Sequence, residues 1–284
     1  MKRIVPGLLV ALIAVSGVSC SKMKMPKMPQ VKLFKDETPE QKVQKQFAAV
    51  VKSTSDAQFY KETGTLLELA QKLQWDNSRL LTAALDYQPQ VETDDQAATY
   101  QRLLDLLRVP KSAVVALAAP KLSSSDAKQA ELSRTLLRSA APADPRGAAD
   151  FSQFTQYLAA NQAQPPQQLI LWMYDRDPAA AMEQMLGIYG QKLSTDDLRT
   201  LRIATRVLDQ MAWKERYDLS NPGDTDALAV QQAETLSQYE QWWIRLYVAK
   251  MVVKYPALRK TELVTRLTQD PNPMVAAVAG QIGK

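Results

Sequence analysis

The sequence predicts an all-α fold, and three observations carry that expectation. Helix-start signals recur along the chain. Thr38-Pro39-Glu40-Gln41 is a capping box with proline at the first helical position, and Ser55-Asp56-Ala57-Gln58 and Thr93-Asp94-Asp95-Gln96 repeat the signal. Apolar residues follow these starts at helical spacing. Only nine glycines occur, and no run of alternating β-branched residues reads as a strand.

The first element is a leader. Met1-Lys2-Arg3 is positive, Ile4 to Ser19 holds no charge, and the small pair Val18-Ser19 precedes Cys20, the one cysteine of the chain. That layout predicts a signal peptide over residues 1–19. It resembles the lipobox of bacterial lipoproteins, with Gly17 standing where that family usually has Leu, Val or Ala. The resemblance implies that Cys20 becomes the first mature residue and carries fatty acyl chains, palmitate among them. Ser21 follows, where Asp marks retention at the inner membrane in proteobacteria. The implied address is therefore the bacterial cell envelope, at the outer membrane facing the periplasm. Two other outcomes fit the same residues. Cleavage after Ser19 alone leaves Cys20 as a free thiol. An uncleaved anchor needs roughly 20 apolar residues, and this run is shorter and broken by Pro6 and Gly7.

Residues 20–36 form the second element, a flexible basic tether. Ser21 to Pro29 alternates lysine with methionine and proline, and Pro26 and Pro29 oppose a helix. Lys22, Lys24 and Lys27 beside a lipidated Cys20 could rest on anionic headgroups, at about 1 kcal/mol each. A solvated spacer explains the same residues. The methionines are too irregularly spaced, and too close to lysines, to suggest copper(I). The tether also explains the charge of the chain, which is +5 from 35 basic and 30 acidic residues. Removing Lys2, Arg3 and the five lysines and one Asp of residues 21–36 leaves a body of 28 basic and 29 acidic residues. A body at −1 has no general basic excess for nucleic acid.

Residues 37–284 form the third element, an all-helical domain. After the three capping boxes comes Ser194-Thr195-Asp196-Asp197, a weaker version. Apolar stripes are Leu66, Leu69, Ala70 and Leu73; Leu103, Leu104 and Leu107; Leu132, Leu136 and Leu137; and Leu198, Leu201, Val207 and Leu208. Prolines such as Pro110, Pro178, Pro256 and Pro273 fall between these runs as punctuation. Trp242 to Val253 is apolar nearly all round, which marks a central, buried helix.

The C-terminus suggests how the helices are arranged. Leu263 to Gln269 is a helical run, Asp270-Pro271-Asn272-Pro273 a tight turn, and Met274 to Ile282 a small-residue helix. This stretch resembles the short HEAT repeats of bacteria, and Trp242 to Val253 fits the second helix of a preceding repeat, so the resemblance covers residues 241–284. The family usually has a basic residue where Ala276 stands, so the internal Asp-to-Arg contact is expected to be missing. Candidate turns at Asp144-Pro145, Asp177-Pro178, Asn221-Pro222 and Asp270-Pro271 lie 33, 44 and 49 residues apart, against about 34–47 for hairpin repeats. The expectation is an irregular, HEAT-like α-solenoid of helical hairpins, with an irregular helical portion before residue 145.

Composition narrows the chemistry. The chain has no histidine, which excludes Ser-His-Asp and Cys-His catalysis and removes the commonest metal ligand. With Cys20 lipidated, disulfides and Cys/His zinc sites are excluded too. Asp218 to Asp226 places Gly223 sixth as in a calcium loop, but Pro222 and Ala229 occupy ligand positions five and twelve. Asp175 and Asp177 are the nearest thing to a catalytic carboxylate pair, but they point different ways on one turn and suggest capping. Gly187 and Gly190 end a helix and make no phosphate loop. The densest aromatic cluster surrounds Trp242, Trp243 and Tyr247, flanked by Lys250 and Lys254. Core packing between repeats explains it; a partner-binding hot spot is the functional alternative.

These residues together lead to the expectation of a membrane-anchored, non-enzymatic helical scaffold that binds an unknown envelope protein. No cofactor, metal or nucleic acid is expected. A purely structural envelope role and a His-free hydrolase using Asp/Glu pairs are the alternatives.

Overall fold

Where the sequence offers an oxygen to a helix start, a helix begins. In the computed structural model, which describes residues 37–87, 93–143, 147–217 and 224–282, Thr38 and Gln41 exchange both capping-box hydrogen bonds, at 3.2 and 3.0 Å, and open α1 (Pro39–Val51). Ser55 accepts from the Gln58 amide and opens α2 (Asp56–Lys72). Here the box is half made, because the Gln58 side chain accepts from Thr54 instead. Asp76 caps α3 (Asn77–Asp86) and Thr93 caps α4 (Asp94–Leu106). Ser194 accepts from the Asp197 amide at the start of α10 (Thr195–Tyr217).

The remaining helices are α5 (Lys111–Ala118), α6 (Ala127–Ala140), α7 (Thr155–Ala160), α8 (Gln167–Arg176), α9 (Pro178–Tyr189), α11 (Asp224–Leu236), α12 (Trp242–Lys254), α13 (Thr261–Thr268) and α14 (Pro273–Ala279). Short 3-10 turns at Ala119–Ser123, Ser152–Phe154, Gly190–Lys192 and Pro256–Leu258 join some of them. No strand occurs among the described residues; an isolated bridge links Ala143 and Ala149. The fold is all-α.

Two helices stop by a shared device. Gln74 and Arg108 follow α2 and α4 with φ of 55° and 53°. The next amide then reaches back five residues, Trp75 to the Ala70 carbonyl and Val109 to the Leu104 carbonyl, at 2.9 and 3.0 Å. That satisfies carbonyls the helix would leave open.

Sequential helices pack as pairs: α1 with α2, α5 with α6, α8 with α9, α10 with α11, and α13 with α14. Short connections make such antiparallel neighbours. α12 goes furthest beyond pairwise packing. α12 touches α8, α9, α11, α13 and α14, and Ile244, Leu246, Tyr247, Val248, Ala249 and Val252 are wholly buried. Its all-round apolar sequence demands this position.

Arg245 is a charge inside that apolar run, and its partners explain how it is tolerated. Its guanidinium meets Asp270 through two bonds, at 2.6 and 3.0 Å. It also donates to the carbonyls of Tyr239 and Glu240, at 2.7 and 2.6 Å. The two side chains are 12% and 3% exposed. The turn before α14 thus receives its arginine from α12, a contact not expected from the sequence, in which the repeat's own position is Ala276.

Residues 1–36, 144–146 and 218–223 lie outside the described residues. The expected signal peptide and tether, with Cys20, Lys22, Lys24 and Lys27, the candidate turns at Asp144-Pro145 and Asn221-Pro222, and most of the segment weighed as a calcium loop therefore do too. Among the described residues no helix is long and apolar enough to cross a membrane.

Candidate functional site

A cleft of about 660 Å³ opens between α9 and α10. Its α9 wall carries Ala179, Ala180, Glu183, Leu186 and Gly187, and its α10 wall carries Arg202, Thr205, Arg206 and Asp209. Both sets recur at three- and four-residue steps, so each is one stripe of a helix. Ala179, Ala180 and Gly187 leave parts of the α9 wall open. A Cβ on Gly187 would meet nothing within 4 Å.

Asp177 forms one end of the cleft, and its carboxylate is already committed. One oxygen accepts from the Ala180 amide and caps α9; the other accepts from the Ala149 amide, both at 3.1 Å. Asp209 is different. It is half-buried, and one oxygen accepts from the Tyr247 hydroxyl at 2.9 Å. Burial pushes its carboxyl up to about 6. The Tyr247 bond pulls the other way, and the negative charges of Asp177 and Glu183 add to the rise. Opposite in sign, Arg202 and Arg206 lie four residues apart on the same helix. Among the described residues, no ion pair engages Glu183, Arg202 or Arg206.

The cleft is backed by buried tyrosines. Tyr247, on α12, is wholly buried and holds Asp209 from behind. Its ring lies 5.9 Å from that of Tyr174 on α8, whose hydroxyl donates to the Trp243 carbonyl at 3.1 Å. Burial raises both phenols well above their ordinary range, so they act as neutral hydrogen-bond donors. Asp209 is thus fixed by packing rather than left on a mobile side chain.

The five residues expected as a partner-binding cluster do not share one surface. Trp243 and Tyr247 are 4% and 0% exposed, so they are core residues with no face to offer. Trp242 is half-buried. Lys250 pairs with Asp175, and exposed Lys254 lies 5.1 Å from the Tyr255 ring. Tyr247 still has a place at the cleft, as the support of Asp209. The pair Asp175 and Asp177 splits as the capping expectation required, one to Lys250 and one to the start of α9.

Sequence reasoning passed over Glu183, Arg202, Arg206 and Asp209. The available signal was the polar stripe Arg202, Thr205, Arg206 and Asp209 at i, i+3, i+4 and i+7. A polar stripe usually faces solvent, and only the packing of α9 against α10 makes it a wall.

No family model, curated protein or solved structure matches the chain. Among the described residues no group of three acidic or sulfur side chains could hold a metal ion. What the cleft offers is charge of both signs beside small apolar surface.

Proposed function

We propose that this protein is a lipid-anchored lipoprotein of the bacterial cell envelope whose helical body, an irregular HEAT-like solenoid, binds a protein partner without catalysing a reaction. Cys20 takes the lipid, and Lys22, Lys24 and Lys27 rest on the membrane surface. The single observation that carries the binding role is the α9–α10 cleft. Its volume is that of a ligand site, with a few polar groups converging over apolar walls. Two arginines and a glutamate stand there without ion-pair partners among the described residues, and a partly desolvated carboxylate sits with them. Glu183, Arg202 and Arg206 are exposed and so open to charged groups of a partner, and half-buried Asp209, its carboxyl raised by desolvation, is the kind of perturbed group that clusters at functional sites.

A second reading, a His-free hydrolase, is favoured by one observation: a carboxyl raised to about 6 in the same cleft as Glu183. A proton donor tuned in this way is what glycoside hydrolysis requires of its acid. Asp177 cannot serve as the second group, since both its oxygens hold backbone amides.

The anchor and the partner are tested together by purification from native membranes. Wild-type protein should bear acyl chains at Cys20 by mass spectrometry and bring down a stoichiometric partner after crosslinking. Cys20→Ser should release the protein from the membrane with its body folded. Recovery of wild type with no lipid refutes the anchor, and recovery with no partner refutes the binding role.

A further inference from the structure

The α9–α10 cleft is divided by charge along α10. Arg202 and Arg206 occupy its N-terminal part and Asp209 its C-terminal part, with Glu183 on the facing helix. A simple anion would meet the two arginines but also Glu183 and Asp209. A simple metal cation would meet the arginines, and the acids do not form a three-ligand group among the described residues. A ligand that carries both signs satisfies both ends.

The spacing gives the size of that ligand. At 1.5 Å per residue, Arg206 and Asp209 are about 4.5 Å apart along the helix and Arg202 and Asp209 about 10.5 Å. Alternate side chains of an extended peptide fall on one face about 7 Å apart, between those limits. The small residues Ala179, Ala180 and Gly187 leave room for a backbone to lie against α9.

We infer that the cleft takes an extended peptide segment with a basic and an acidic side chain two residues apart, the carboxylate meeting Arg202 and Arg206 and the cation meeting Asp209 and Glu183. This assignment rests on the partner-binding reading and names the chemistry of the partner's segment. Charge-assisted hydrogen bonds from both arginines fix its direction. The Tyr247 hydroxyl, bonded to one Asp209 oxygen, fixes the position of the receiving carboxylate.

The nine glycines give a direct readout. Full-length protein in detergent, labelled with nitrogen-15 at glycine, is titrated with acetyl-Lys-Ala-Glu-amide. Two controls follow: acetyl-Lys-Ala-Gln-amide and acetyl-norleucyl-Ala-Glu-amide. The Gly187 signal should shift while those of Gly64 and Gly280 stay, and each control should bind about tenfold more weakly or worse. Arg202→Gln combined with Arg206→Gln should abolish the preference for Glu over Gln and leave the preference for Lys. Equal shifts with all three peptides, or none at about 10 mM, overturn the assignment. In that event a partner still recovered from membranes leaves the binding role standing, and only its chemistry falls.

Discussion

At Asp209 the folded and unfolded chains hold a proton with different strength. The folded carboxyl titrates near 6, against 3.8 for the free group. Well below 3.8 both states are protonated and the half-buried group costs nothing. Between 3.8 and about 6 the unfolded chain ionises while the folded carboxyl keeps its proton, so stability falls across that window and levels off once the folded group has ionised too. Asp209→Asn keeps an acceptor for the Tyr247 hydroxyl and removes the charge. Compared with wild type by urea unfolding, the variant should gain about 2 kcal/mol at pH 7.5, with the gain vanishing by about pH 3. A difference that does not depend on pH would contradict the buried, ionised carboxylate. At this scale the sequence disclosed the helix caps, because a cap is written in four consecutive residues. It did not disclose Asp209, whose meaning depends on Tyr247, 38 positions away.

Helices show the same division between local and distant information. The central position of α12 was legible, since a helix without a polar face has nowhere else to go. The prolines were legible as boundaries: Pro39, Pro178 and Pro273 each take the first position of a helix. Core packing, the first explanation of the aromatic cluster on α12, describes Trp243 and Tyr247; which sides of α12 are covered was not legible, because helical phase alone does not say which of five neighbouring helices covers which side. Arg245 is the element-scale surprise. One guanidinium joins the start of α12, the loop carbonyls of Tyr239 and Glu240, and the turn before α14. Removing it leaves Asp270, 3% exposed, without a counter-charge. Arg245→Ala should cost about 3 kcal/mol or more in chemical denaturation. Arg245→Lys should recover little of it, because an ammonium cannot make the paired bonds. A loss below about 1 kcal/mol would show that the pair adds nothing beyond packing.

For the whole molecule, the all-α class was readable from caps, spacing and the scarcity of glycine. Pairs form between sequential helices, yet α12 reaches past α10 and α11 to α8 and α9. The cleft was not readable, because its two stripes belong to different helices and become a site only when those helices pack. On the proposed function this cleft receives a partner while the protein is held at the envelope. Photo-crosslinking in intact cells probes this, with a benzoyl-phenylalanine in place of Ala179 on the cleft wall and, separately, in place of exposed Tyr60 on α2. Position 179 should give one discrete protein adduct and position 60 none, and the adduct should be lost when Arg202 and Arg206 are both changed to Glu in a protein that remains folded. No adduct from position 179, or one unaffected by the two charge reversals, would contradict it.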